Sequence, residues 1–298
     1  MKIIRNIVEL RQEVKQYRVT STGNGKVGFV PTMGFLHEGH ASLMSRAHDL
    51  SDLVVLSIFV NPIQFGPGED YETYPRHEEQ DLALAERQGV DIVFIPTVEE
   101  MYPTQTLTKI MVSEVTQLLC GASRPGHFDG VTTVVSKLIN IVQPDQAYFG
   151  LKDAQQIAVL QQMVHDLNMN VEIVPCPIVR EADGLALSSR NVYLSSEERK
   201  QALVLSRSLL EVKGTFDSGE SVNVSEIRKM LIALINSSPI AVIDYVEVLT
   251  FPELDRINDD VLLHDITGKL IMAVAVKFGK TRLIDNMLIT PKEAVSLV

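Results

Sequence analysis

The chain has 298 residues, 45% of them hydrophobic and 22% charged, an ordinary balance for a globular enzyme with a sizeable core. Its 27 basic and 38 acidic side chains leave a net charge of −11, which argues against non-specific binding to nucleic acid or to an anionic membrane surface. No apolar run reaches the roughly 18 residues of a membrane span, and Cys120 and Cys176 stand outside any CxxC or Cys/His cluster, so a cytoplasmic chain with no zinc framework is expected.

The first stretch, MKIIRNIVELRQEVKQ, reads as an amphipathic helix without the unbroken apolar segment of a signal peptide. GNGKVG (23–28) has the G-x-G-x-x-G spacing, but it runs into a strand instead of following one and opening a helix, so it reads as a turn. KVGFVPT (26–32) is the first buried strand, and Leu43, Ala47 and Leu50 mark a helix after it. DLVVLSIFV (52–60) and DIVFIP (91–96) are the next two strands. Val131, Val134, Val135, Leu138, Ile139 and Val142 line one face of a helix. QAYFG (146–150) is a fourth strand, Ile157, Leu160, Val164 and Leu167 mark a further helix, and VEIVPC (171–176) is a fifth strand. Continuous apolar runs suit a parallel sheet covered on both faces, and their alternation with helices predicts a Rossmann-like, doubly wound α/β domain over residues 1–178.

The rhythm changes after that. SSEERKQALVLSRSLLEVKG (195–214) reads as one helix with a serine start and a glycine stop. SEIRKMLIALINSS (225–238) reads as a second helix, and VIDYVEVL (242–249) and KLIMAVAVKF (269–278) as antiparallel strands. Residues 179–298 are therefore expected to form a smaller α+β domain.

The chemistry concentrates in PTMGFLHEGH (31–40), which lies between the first strand and its helix. Ligands of a parallel α/β fold bind at the carboxyl ends of strands. His37 and His40 share a face once the helix begins, and the helix N-terminus offers N–H groups and partial positive charge to a phosphate. Gly34 and Gly39 allow close approach of a ligand to the backbone. Zinc would want HExxH or further spaced ligands, and HEGH has neither. A different adenylylating or cytidylylating enzyme on the same fold, a metal-dependent hydrolase using the two histidines, and a non-catalytic nucleotide binder remain competing readings. FGLKDAQQ (149–156) brings Lys152 to another strand end, GLALSSRN (184–191) sets Ser188 and Ser189 beside Arg190, and VNPIQFG (60–66) supplies Gln64. GASRPG (121–126) lacks the Lys-Ser/Thr of a P-loop.

Taken with YPR, RPGHFDGV and IVREADGLALSSRN, these stretches resemble the pantoate–β-alanine ligase family of HxGH nucleotidylyltransferases, in family order across residues 30–191. The resemblance implies an ATP-dependent enzyme that joins pantoate to β-alanine through a pantoyl adenylate, with Mg²⁺, as a cytoplasmic homodimer. It implies an ATP site of Met33, Gly34, Phe35, Leu36, His37, Glu38, Gly39 and His40, with Gly150, Leu151, Lys152, Asp153, Val179, Leu187, Ser188, Ser189 and Arg190. Catalytic roles fall to His40 (as proton donor), His37, Lys152 and Arg190, and a pantoate pocket to Gln64, Gln156, Met33 and Phe59. Two positions depart from the family pattern: Leu151 replaces the usual Glu of GEKD, and Leu187 replaces the common Met of AMSSRN.

Overall fold

The computed structural model describes residues 1–21 and 25–290, so the turn expected around GNGKVG lies in part outside the described residues. The elements run β1 (Lys2–Ile4), α1 (Ile7–Thr20), β2 (Val27–Thr32), α2 (Glu38–Leu50), β3 (Leu53–Ile58), α3 (Glu78–Arg87), β4 (Ile92–Phe94), α4 (Val98–Met101), α5 (Leu119–Ser123), α6 (His127–Val142), β5 (Gln146–Gly150), α7 (Ala154–Asp166) and β6 (Glu172–Cys176). They continue as α8 (Ser196–Gln201), α9 (Val204–Asp217), α10 (Val224–Ile235), β7 (Ala241–Phe251), β8 (Lys269–Phe278) and β9 (Thr281–Ile289). Two compact units result: residues 1–116 with 124–179, and residues 117–123 with 180–298.

The first unit is built on a six-stranded parallel sheet of order β1-β4-β3-β2-β5-β6. The first five residues of β3, Leu53–Ser57, are all buried, as a strand covered on both faces requires. The chain steps outward from β2 to β3 to β4, then returns to lay β5 on the other side of β2. In open α/β sheets such a reversal marks where ligands bind, beyond the carboxyl ends of the strands on either side of it, here β2 and β5. Thr32, which leads into the histidine turn, ends β2, and Gly150, which leads into Lys152, ends β5.

The N-terminal stretch is not one helix. Ile4 is fully buried and pairs with Phe94, so residues 2–4 form an edge strand, and Asn6 then opens α1 by accepting the Glu9 N–H at 2.8 Å. Three residues are too few to show a strand period.

The second unit carries the antiparallel sheet β7-β8-β9. Leu270, Met272, Val274 and Val276 of β8 join Leu209 and Val212 of α9 and Ile227 and Leu231 of α10 in one core. The helix expected over 195–214 is two helices, broken at the buried Ala202 and Leu203, and it does not stop at Gly214. Open space surrounds Gly214, and the chain leaves α9 only at Ser218, whose N–H reaches the Gly214 carbonyl at 2.9 Å. The sequence reading does not include the strand β9. It contains Asp285, a carboxylate with its side chain 1% exposed, which Arg180 neutralises with two bonds of 2.7 and 2.9 Å. The segment 117–123 is tied into this unit by Ser123 Oγ, which donates to Asp244 at 2.9 Å, and by Cys120, whose sulfur lies 3.4 Å from the Tyr245 hydroxyl. Arg282 donates to the same Asp244 oxygen at 2.7 and 2.9 Å.

Candidate active site

After β2 the backbone turns through Gly34 and Phe35, both in the left-handed region at φ 83° and 51°. Glycine suits the first position. The second is held by Asp81 of α3, whose carboxylate accepts the Phe35 N–H at 2.8 Å and the Leu36 N–H at 2.6 Å. Asp81 is 2% exposed, and burial raises its pKa against the lowering effect of those two hydrogen bonds.

His37 is the N-cap of α2. Its Nδ1 accepts the Gly39 N–H at 3.1 Å, and the Nδ1 of His40 accepts the His37 N–H at 3.3 Å. The pair is a capping box made of imidazoles. A neutral imidazole that accepts on Nδ1 carries its proton on Nε2, so both rings become Nε2–H donors. Their centroids lie 4.1 Å apart. Burial, the neighbouring His37 and the charge of Lys152 press the His40 pKa down to about 3, so His40 is neutral at pH 7 even though its side chain keeps some solvent access. In this structure the ring therefore stands as a neutral hydrogen-bond donor.

Lys152 lies in the 3-10 turn Leu151–Asp153 between β5 and α7, with its ammonium 3.7 Å from Asp153. Its effect on His40 places the two in one electrostatic neighbourhood. Leu151 is half-buried at the start of this turn, and Gln156 is half-buried in the first turn of α7.

Gln64 closes a 3-10 turn, Pro62–Gln64, beyond the end of β3. Its Nε2 is 2.9 Å from the sulfur of Met33, which joins this turn to the β2–α2 turn. Phe59 is 6% exposed and faces Tyr102 across 6.1 Å between ring centroids. The residues that hold this turn are ones that sequence reasoning does not bring together. Asn61 Nδ2 donates to Gln64 Oε1 and to the Gly130 carbonyl, each at 3.2 Å. Tyr102 donates to Asn61 Oδ1 at 2.8 Å. Arg124 makes a two-pronged pair with Glu69 at 2.7 and 2.6 Å and donates to His127 Nε2 at 2.9 Å, which leaves His127 Nδ1–H to donate to the Gln64 carbonyl at 2.9 Å. A Cβ on Gly130 would collide with the backbone of Ile63 and Gln64, so glycine is what lets α6 press against the turn. Arg124 and His127 stand in the quoted RPGHFDGV stretch, but no local spacing ties them to Gln64.

In the second unit, Ser188 begins a 3-10 turn, Ser189–Tyr193, and its Oγ accepts the Arg190 N–H at 3.3 Å. Asn191 holds that turn from behind through the Ala186 carbonyl at 3.1 Å and Glu181 at 2.9 Å. Leu187 precedes it as a half-buried residue, and Val179 is the last residue of the first unit.

Among the described residues no three His, Cys, Asp or Glu side chains converge as a metal site, so the hydrolase reading lacks a third protein ligand for His37 and His40. No helix among them is long and apolar enough to cross a membrane.

A doubly wound sheet with a phosphate-ready histidine turn at its switch point defines an α/β enzyme of the nucleotide-handling kind. The family model described as pantoate-beta-alanine ligase matches residues 2–288. A pantothenate synthetase of Acetivibrio thermocellus is 54% identical over 97% of this chain and 99% of its own length. The crystal structure of pantothenate synthetase from Thermus thermophilus superposes with a TM-score of 0.88 at 46% identity, covering 98% of this chain and 100% of that one. A pantoate-beta-alanine ligase from Francisella tularensis, solved in complex with beta-gamma ATP and beta-alanine, gives a TM-score of 0.74 at 34% identity over 97% of each chain. The chain belongs to the pantoate–β-alanine ligase family. As a member it is an enzyme that ligates pantoate to β-alanine, with ATP as co-substrate.

Proposed function

We propose that the ligation runs in two steps at the crevice between β2 and β5. An oxygen of the pantoate carboxylate attacks the α-phosphorus of ATP, the bond from that phosphorus to the bridging oxygen breaks, and pyrophosphate leaves. The β-alanine amine then attacks the acyl carbon of pantoyl adenylate, AMP departs with the acyl oxygen, and the amine gives up a proton as the amide forms. A bound carboxylate is already a nucleophile, so the chain's task is to position it and to screen charge.

The observation that carries this reading is the orientation of His37 and His40. Backbone N–H groups donate to both Nδ1 atoms, which fixes the orientation of the two rings at the N-terminus of α2 and puts the proton of each on Nε2. Negative charge builds on the transferring and leaving phosphates, and preorganised donors lower that barrier. Lys152 adds positive charge, with Gly150, Leu151 and Asp153 shaping its turn. Met33 through His40 line the nucleotide, and Val179 and Leu187, Ser188, Ser189 and Arg190 keep the ATP-binding roles that the resemblance implies. Gln64 and Gln156 hold the hydroxyls and carboxylate of pantoate, while Met33 and Phe59 pack on its methyl groups.

Mg²⁺ would come bound to ATP and would screen the phosphate charge. No protein cage for it exists among the described residues, and this ion ordinarily keeps its waters and binds through substrate phosphates with one or two carboxylates. A homodimer and a cytoplasmic location follow from the resemblance, and sedimentation of the purified chain tests the first of these.

The deciding experiment is exchange of labelled pyrophosphate into ATP with Mg²⁺ and pantoate but no β-alanine. Pantoate-dependent exchange is expected. No exchange by folded, ATP-binding protein would reject the adenylate route.

A further inference from the structure

An amide side chain carries a donor and an acceptor at the same distance from its stem, and which one meets a substrate decides what it can bind. At Gln64 the choice is made by a chain of bonds that begins at a backbone carbonyl, a group that can only accept. The Gly130 carbonyl lies 3.2 Å from one terminal atom of Asn61, which must therefore be Nδ2. That leaves Asn61 Oδ1 toward Tyr102, whose hydroxyl donates to it at 2.8 Å. The same Nδ2 donates its second hydrogen to Gln64 at 3.2 Å, so the atom of Gln64 on that side is Oε1. The Nε2–H₂ group is turned the other way, to the side where Met33 sits at 2.9 Å.

Each member of this chain is immobilised. Asn61 is 1% exposed. Tyr102 caps α4 through its N–H to the Val98 carbonyl at 2.7 Å, and the Lys137 ammonium sits 4.9 Å above its ring while donating to the Met101 carbonyl. Burial raises the phenol to about 12, so Tyr102 keeps its proton throughout the working range. His127 and Gly130 fix the Gln64 backbone from the α6 side.

We propose that Tyr102, acting through Asn61, is a positioning residue that locks the Gln64 amide with its N–H groups toward the substrate, so that the pocket selects an oxygen acceptor, a carboxylate or hydroxyl, at that point. The inference rests on the reading of Gln64 as a pantoate contact. Flipping the amide would set Gln64 Nε2 against the Nδ2 of the buried Asn61, donor against donor, so the structure favours one polarity.

A double-mutant cycle tests it, with Tyr102→Phe, Gln64→Ala and the two combined, each assayed for KM toward pantoate, ATP and β-alanine. Tyr102→Phe removes one hydroxyl. It is expected to raise the pantoate KM about tenfold while kcat and the ATP KM stay within about twofold. In the Gln64→Ala background the same change is expected to move the pantoate KM by no more than about twofold, because the residue it acts through is gone. Gln64→Glu, which offers an oxygen where the amide offers N–H, is expected to bind pantoate no better than Gln64→Ala. Independent, multiplying effects of Tyr102→Phe and Gln64→Ala, an equal loss toward all three substrates, or good pantoate use by Gln64→Glu would each overturn the proposal. An unchanged pantoate KM in Gln64→Ala alone would instead strike the pantoate assignment of Gln64 itself, and the positioning role with it.

Discussion

The two turns that meet at Met33 and Gln64 are organised by opposite means. The β2–α2 turn mostly arranges itself: His37 and His40 orient each other and the first turn of α2 through bonds between residues two and three apart. The Gln64 turn is arranged by others. Its side chain answers to Asn61, three residues before it, and through Asn61 to the distant Tyr102, while its carbonyl answers to His127 and, through it, to Arg124, both some sixty residues on, with Glu69 nearby to pair Arg124. A self-ordering turn tolerates change around it and fails when its own residues change. A turn held from outside can be loosened by substitutions that never touch a substrate.

The largest effect bearing on that contrast is expected from His40→Ala. It removes a phosphate donor and half of the capping box, and pantoate-dependent pyrophosphate exchange is expected to fall by about 10²-fold or more. Near-normal exchange would remove His40 from the chemistry. Asp81→Asn attacks a distant support of the histidine turn. An amide N–H₂ would then face one of the two N–H groups of Phe35 and Leu36, with a loss of about 2–3 kcal/mol in denaturant unfolding. A negligible loss would make that turn wholly self-sufficient. Gly130→Ala drives a methyl into the backbone of the Gln64 turn, and is expected to destabilise by about 1–3 kcal/mol and to raise the pantoate KM while sparing that for ATP. Equal changes in both constants would show that the turn is not held separately.

The smallest effect is a pH dependence. Burial and the Arg124 charge hold His127 down to about 4 from its ordinary 6.5, and the hydrogen bond from Arg124 holds Glu69 down to about 2 from 4.5. In both cases the unfolded chain takes up the proton first on acidification. Stability therefore falls as pH drops below 6.5 because of His127, together with His40, whose pKa is held down in the same direction, and from 4.5 toward 2 because of Glu69. His127→Gln is expected to flatten the first part of that profile in urea midpoints measured from about pH 7 to about pH 4. An unaltered slope would exclude His127 as its source.

The same contrast explains what could be read from the residues alone. The parallel strands announced themselves because each is a continuous apolar run between helical repeats, and HEGH announced itself because its parts are neighbours in sequence. Strand β1 is too short to show a period, and β9 hides a buried carboxylate, Asp285, whose partner Arg180 lies 105 residues away. Gly214 reads as a helix stop, yet in open space a glycine only weakens a helix and need not end it. Asn61 stands in the quoted VNPIQFG stretch, but neither its spacing nor that of Tyr102 shows the bonds they make. Their importance exists only in the fold, where a carbonyl from α6 fixes the direction of an amide from the β3 turn.

The seven residues 117–123 give the second unit an origin in two places along the gene. The chain passes from one unit to the other three times, at 116/117, 123/124 and 179/180. A cut at Val179 would therefore not yield a transplantable module. It would strip Asp244 of Ser123 and Tyr245 of Cys120, and expose the surface they cover. Excision, fusion or shuffling of the C-terminal part must carry this short upstream insert along, so recombination would be expected to inherit the two units together more readily than apart.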